Sequence, residues 1–308
     1  PRPSTMSRID LTPDIVSNWF RMEQLDNRIV TSSPPYMAGA FKYDRVFGGL
    51  AVSQSFNAFK RLFPNLSPHK INYKFVAPGN VTIPLSFSVD RFDGVASVIV
   101  TQNGKIVGLS HIRYSESDDL LDGGAALPPP YVGSPDDYPS LQQLFKILGD
   151  SAPNYIKVMM ELAFEVRPVE SPLFPVEDHS TARFILWLRL KPELAAGIER
   201  GNGRAATLFL SDMAILQAAA EIYDIHNIKV SSGASLHHTV WLHHSTDIDP
   251  RGWFLFHVEC SLISYGRPRL EAYIYNERKE CIISVLQEGY IQTNMHAQEA
   301  KPVLQAKL

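Results

Sequence analysis

The segment Ser235–His244, SLHHTVWLHH, places four histidines within ten residues. Whether it is a metal site or a strand decides how the rest of the chain is read. It has no Gly or Pro and carries Thr, Val and Trp, residues at home on a pleated surface, so alternate side chains face opposite ways. Ser235, His237, Thr239, Trp241 and His243 then share one face, and Leu236, His238, Val240, Leu242 and His244 the other. On either face the two histidines stand six residues apart, roughly 20 Å at about 3.3 Å per residue, too far to bind one ion. No HExxH, CxxC or clustered Asp/Glu pattern supplies further ligands. The expectation is a strand with structural histidines, His238 among them hydrogen-bonded, and no metal.

Composition sets the outer bounds. A chain of 308 residues, 45% of them hydrophobic, can bury a large core as two domains or one large one. With 29 basic against 32 acidic residues the net charge is -3, so no global attraction to nucleic acid or an anionic membrane is expected. Two cysteines, Cys260 and Cys281, are too few for a disulfide framework and are expected to be reduced. No apolar run approaching the roughly 18 residues of a membrane span is evident, and PRPSTMSRID lacks the apolar centre of a signal peptide. The closing Ala306, Lys307 and Leu308, after the polar stretch MHAQEAKPVLQ, form a close variant of the Ser-Lys-Leu address. A peroxisomal import receptor is the expected reader, with a cytoplasmic location as the alternative.

Along the chain one element order occurs twice. In RVFGGLAVSQSFNAFKRLF the residues Phe47, Leu50, Phe56, Phe59 and Phe63 recur at mainly three- and four-residue spacing, which predicts a helix with one buried stripe. Four strand-like runs follow: KINYKFV, VTIPLSFSVDRF, ASVIVTQ and KIVGLSHIRY. The last two are joined by Asn103-Gly104, a tight-hairpin signal. The acidic, Pro/Gly-rich stretch from Ser115 marks a linker. Beyond it LAFEVRPVE and ARFILWLRL read as strands, and SDMAILQAAAEIY as a helix capped by Ser211 or Asp212. Four more strand-like runs close the chain, ASLHHTVWLHH, GWFLFHVECSLISY, RLEAYIYNER and CIISVLQEGYIQT. The division expected is 1–114, a linker 115–150, and 151–308, as two copies of one α+β unit. GNGRAA imitates a dinucleotide loop but follows a helix-like segment, so an ordinary loop is expected.

Several stretches together resemble one family. RVFGGLAVSQS is similar to the Val-Phe-Gly-Gly helix start of the acyl-coenzyme A thioesterase II family, KFVAPGN to its aromatic strand before a Pro-Gly turn, and SLHHTVWLHH to its Ser/Thr-x-Asp-His-x-x-Trp-x-His strand. LSDMAIL and QEGYIQ are similar to its Asp-bearing helix start and its closing Gln-Glu-Gly strand, so the matches run in order from Arg45 to Gln292. The resemblance implies a double-hotdog α+β fold, in which a long helix is wrapped by an antiparallel sheet twice over, and a homo-oligomer. It implies hydrolysis of a fatty acyl-CoA or related thioester with no organic cofactor or metal. The family's catalytic aspartate falls on Asp212, its Ser/Thr on Ser235 and its glutamine on Gln287. Gly48, Gly49, His237 and Trp241 are the substrate-binding candidates, the glycines either admitting ligand or permitting tight helix packing.

The chemistry can be built from the residues themselves. Thioester hydrolysis needs a held water, a proton acceptor and donors for the developing oxyanion. Asp212 can orient or deprotonate the water while Ser235 and Gln287 satisfy its other hydrogen-bonding sites. At a helix N-terminus Asp212 is expected to have a depressed pKa, so that orientation matters as much as proton removal. No Gly-x-Ser-x-Gly elbow is present, against a covalent serine. The surroundings depart from the family: His237 stands for an aspartate, INYKF lacks a histidine, the stretch from RFDG to TQNG is shortened, and Ala77 and Gln292 replace arginines. These departures sustain two alternatives. One is a double-hotdog enzyme repurposed for proton transfer, dehydration or cyclisation on a carbonyl substrate. The other is a non-catalytic subunit that binds acyl thioesters.

Overall fold

The computed structural model describes residues 10–39, 44–116, 128–149, 160, 162–170, 182–225, 228–243 and 248–293. Ala306, Lys307, Leu308 and His244 lie outside them. The strands are β1 Glu23–Gln24, β2 Ile29–Ser32, β3 Ser67–Phe75, β4 Leu85–Phe92, β5 Val95–Gln102, β6 Lys105–Ser115, β7 Phe164–Glu170, β8 Ala182–Leu190, β9 Val230–Leu242, β10 Phe254–Ser264, β11 Arg267–Tyr275 and β12 Cys281–Thr293. The helices are α1 Pro13–Asn18, α2 Gly48–Leu62, α3 Leu141–Leu148, α4 Pro192–Ala195, α5 Gly203–Leu210 and α6 Ile215–Ile225.

All twelve strands form one antiparallel sheet, ordered β1-β2-β4-β5-β6-β3-β9-β12-β11-β10-β8-β7. The order repeats. After α2 the strands β3 to β6 lie as β4-β5-β6-β3, and after α6 the strands β9 to β12 lie as β10-β11-β12-β9. The first strand of each set then pairs with the other at the centre, Lys70 opposite Trp241 and Lys74 opposite His237. This is the double hotdog expected from the sequence. Asn103 and Gly104 turn β5 into β6 with φ of 48 and 74, the positive-φ pair that a tight hairpin needs.

The central helix is more deeply held than its pattern predicts. Instead of one buried stripe, α2 is buried continuously from Gly49 to Phe59, because the sheet covers one side and α5 the other. Its polar residues are satisfied within the fold, as burial requires. Ser53 donates to the Ala205 carbonyl at 2.7 Å, Gln54 to that of Trp19 at 3.0 Å and Asn57 to that of Phe20 at 3.3 Å. Between the helices, Phe209 of α5 is ringed by Trp19, Phe47 and Phe164 at centroid distances of 5.5, 5.5 and 5.2 Å. Aromatic pairs at such spacing add to area burial.

Two expectations are corrected, for GNGRAA and for the length of the apolar run. Gly203 to Ala206 of GNGRAA are not a loop but the start of α5. Gly203 is there because a Cβ would stand 1.7 Å from the Ile248 carbonyl. Within the linker, Leu141–Leu148 is a helix, started by a reciprocal Ser140 and Gln143 capping box. Upstream of it Val132 is buried against Trp187, Leu255 and Tyr275 on the outer sheet face. Among the described residues the helical run Arg200–Tyr223 is long and apolar enough to cross a membrane, and most of it is buried inside the fold. Its apolarity reflects the packing of α5 against α2 and of α6 against the strands of the second half.

The α2–α5 crossing depends on Gly49, where a Cβ would lie 2.2 Å from the Phe209 carbonyl oxygen. Backbone cannot yield there as a side chain would. Gly49→Ala is expected to cost about 1–3 kcal/mol, read as a lower urea midpoint. An unchanged midpoint contradicts this contact.

Candidate active site

The chain interrupts its second helix to expose Asp212. α5 ends at Leu210, with Ser211 as its C-cap donating its N–H to the Leu208 carbonyl at 3.2 Å. Ala214 then takes a φ of 61, in the left-handed region, before α6 begins at Ile215. Asp212 therefore lies in the break and does not cap α6. The helix N-terminus it meets belongs to α2, whose Gly49 N–H donates to its carboxylate.

A bulge brings the other two residues to it. On β12, Glu288 pairs with His237 and Gly289 with Ser235, leaving Leu236 of β9 without an opposite residue. The extra residue reverses the alternation. Ser235 thus joins His238 and Gln287 on the inner face, and the expectation that Ser235 and His237 share a face is corrected. Room for the bulge comes from Gly289, where a Cβ would approach Leu216 Cδ1 to 2.4 Å. A glycine inside a strand pattern is a legible bulge signal.

The result is a continuous polar chain. Ser235 Oγ donates to Asp212 Oδ1 at 3.1 Å. Gln287 Nε2 donates to Ser235 Oγ at 2.9 Å, and the same amide reaches the carboxylate. Behind them, Gln287 Oε1 is 2.5 Å from His238 Nδ1, and His238 Nε2 is 2.9 Å from Ser211 Oγ. Burial raises the Asp212 pKa to about 6, against the lowering effect of its Ser235, Gln287 and Gly49 donors. The depressed value expected from a helix terminus is therefore corrected: desolvation outweighs the dipole and the hydrogen bonds. Burial likewise lowers His238 to about 4, so it is neutral.

Asp212 and Ser235 open on a cleft of about 300 Å³ between the halves. Phe47, Gly48 and Phe75 line it from the first half, Met213, Leu216 and Leu236 from the second. Arg45 is the one cation on its wall among the described residues. Gly48 belongs there for lack of a side chain, since a Cβ would fall 2.3 Å from Asp212 Oδ2. Gly49 serves helix packing and lends its N–H to Asp212. His237 and Trp241 are elsewhere, on the opposite face. His237 Nε2 meets Asn72 Oδ1 at 2.6 Å and Lys70 Nζ stands 4.5 Å over the Trp241 ring, so neither reaches the cleft. Sequence reasoning took Ser211 only as a helix N-cap candidate, whereas it closes α5 and bonds His238, and it missed the bulge, which Gly289 marks. Among the described residues no three His, Cys, Asp or Glu side chains gather as a metal site requires.

Because Asp212 is protonated more readily folded than unfolded, its ionisation opposes folding. The sign follows: the penalty is absent at low pH, grows as pH rises from near 4 through about 6, and is constant above. A shift of this size corresponds to up to about 3 kcal/mol. Asp212→Asn is expected to melt no lower than the parent at pH 7.5, with any advantage vanishing toward pH 4. A variant less stable at pH 7.5 than at pH 4, relative to the parent, contradicts the assignment.

With this geometry in view, comparison with known proteins is informative. Among curated protein sequences none matches this chain. An acyl-CoA thioesterase II, TesB2, from Mycobacterium marinum superposes with a TM-score of 0.67 at 20% identity, over 90% of this chain and 98% of that one. A protein with the hot dog fold from Alicyclobacillus acidocaldarius gives 0.68 at 17%, over 91% and 98%. The dehydratase domain of RzxB from Pseudomonas fluorescens gives 0.56 at 9%, over 88% and 97%. At these identities the likeness is one of fold. The family model for the acyl-CoA thioesterase C-terminal domain matches residues 134–291, a span that includes Asp212, Ser235 and Gln287. That span is more than half of the chain, and the protein belongs to the acyl-CoA thioesterase family of thioester hydrolases.

Proposed function

We propose that the protein hydrolyses fatty acyl-CoA thioesters by direct attack of a water held in the cleft by Asp212 and Ser235, with Gln287 bracing both from behind. The observation that carries this reading is the carboxylate–hydroxyl–amide chain opening on an apolar-walled cleft. A carboxylate with a pKa of about 6 is ionised at neutral pH yet far more basic than an ordinary aspartate. It takes a proton from the water as the new C–O bond forms. Ser235 and Gln287 fix the carboxylate, the remaining lone pair of Ser235 Oγ can accept from the water, and the tetrahedral intermediate expels the CoA thiolate. The oxyanion falls to the positive end of α2 at Gly48, which lines the cleft, since the Gly49 N–H serves Asp212 and those of Leu50 and Ala51 donate to the Phe47 carbonyl. Phe47, Phe75, Met213 and Leu216 supply the apolar wall for the acyl chain, and Arg45 the one cationic side chain for CoA phosphate among the described cleft residues.

The dehydratase likeness is one of fold, and no feature of the site favours it over hydrolysis. A panel of short, medium and long acyl-CoA esters, followed by free-thiol release, decides the matter. Asp212→Ala is expected to lose about 10²-fold or more in kcat while keeping its circular dichroism. Turnover equal to the parent contradicts the role of Asp212, and no release by the folded parent contradicts the substrate class.

A further inference from the structure

The amide of Gln287 must present its N–H groups, and not its oxygen, to Ser235 and Asp212. Its two ends are close in size, so packing alone selects neither. At the far end, Oε1 lies 2.5 Å from Nδ1 of His238. An imidazole holds that oxygen only if its proton is on Nδ1. A neutral ring has one N–H and one lone pair, so the choice is settled at Nε2, which is 2.9 Å from the Ser211 hydroxyl.

Ser211 Oγ also lies 2.7 Å from the Leu208 carbonyl, and one hydroxyl hydrogen cannot serve both. Turning the hydroxyl toward His238 gives up its own donation to that carbonyl, which keeps the Ser211 N–H at 3.2 Å, and the amide polarity of Gln287, Oε1 toward His238 and Nε2 toward Ser235, outweighs that loss. The alternative, Nε2–H donating to Ser211, would set the Nδ1 lone pair against Gln287 Oε1. That would flip the amide and direct its oxygen at an ionised Asp212. Only one polarity suits the ionised carboxylate: Ser211 O–H to His238 Nε2, His238 Nδ1–H to Gln287 Oε1, Gln287 N–H to Ser235, and Ser235 O–H to Asp212.

The neighbours of His238 do not charge it. Gln287 faces it from β12, Ser211 from the end of α5, and Tyr73 is its register partner on β3. His237, next on its own strand, is electrostatically unfavourable to a second proton. Both Ser211 and His238 are fully buried and absent from the cleft wall, so neither touches substrate.

We propose that His238 is a positioning residue, fixed by Ser211 as the Nδ1–H tautomer, that orients the Gln287 amide for the water attack. The inference rests on the hydrolytic reading above and adds residues that act through Gln287.

The test combines kinetics with a measurement independent of activity. Nitrogen-15 NMR of the imidazole-labelled native protein, with His238 assigned by loss of its signal in His238→Asn, is expected to show a neutral ring protonated at Nδ1. The Nε2–H tautomer, or a charged ring at pH 7.5, overturns the proposal. His238→Phe is expected to lower kcat for acyl-CoA roughly 10- to 100-fold, by analogy with the loss of residues that orient metal ligands from behind, with KM within about threefold. His238→Asn keeps a donor near the Nδ1 position and is expected to recover most of kcat, and Ser211→Ala to lose severalfold. Full activity in folded His238→Phe, or no recovery in folded His238→Asn, overturns it. If His238→Phe does not fold, the tautomer and the asparagine variant decide. Asp212→Ala run alongside separates the two levels: its full activity would sink the hydrolytic reading, with the tautomer result standing apart.

Discussion

Pairing of β3 with β9, Lys70 to Lys74 against His237 to Trp241, is the constraint on which the site depends. It merges two four-stranded runs into one sheet and so fixes where the helix of one half meets the strands of the other. Gly48 and Gly49 belong to the first half, Asp212, Ser235 and Gln287 to the second. The cleft exists because the halves face each other across that central pair. Two glycines then set how closely they approach, Gly49 against the Phe209 carbonyl and Gly48 against Asp212 and Phe75. Any side chain at either position would push the α2 terminus off the carboxylate.

The chemistry follows from a balance of opposing terms at one carboxylate. Removing Asp212 from bulk water raises its pKa, and three donors lower it again. The outcome of about 6 suits a base at neutral pH, because the group is both ionised and proton-seeking. Strengthening the donors would make a poorer base, and burying the group more deeply would leave it protonated. The fold offsets the desolvation cost with the large apolar core around Phe209 and Leu50, so stability lost locally at the site is carried elsewhere.

Much of this architecture is legible in the residues. Helix and strand periodicities, the Asn103-Gly104 hairpin and the repeated element order lead to the double hotdog, and the in-order resemblances single out Asp212, Ser235 and Gln287, which the fold brings into contact. What fails does so for identifiable physical reasons. Strict alternation along SLHHTVWLHH puts Ser235 beside His237, whereas one unpaired residue at Leu236 turns it inward. His237 and Trp241 look like site residues by proximity in sequence and end on the far face. Asp212 reads as the cap of its own helix, whereas a left-handed Ala214 breaks the helix and hands the carboxylate to α2. Each miss is local backbone geometry that residue types specify only weakly. The buried Ser211 and His238 illustrate the same limit, since their roles exist only once β12 lies beside β9.

The central claim is that a desolvated but ionised Asp212 does the work, and the pH dependence of kcat/KM for an acyl-CoA ester tests it most directly. Here kcat/KM should rise with pH along a single limb with an apparent pKa near 6 and stay level above it. A limb at the ordinary carboxylate value near 4, or a profile flat across that range, would contradict the account.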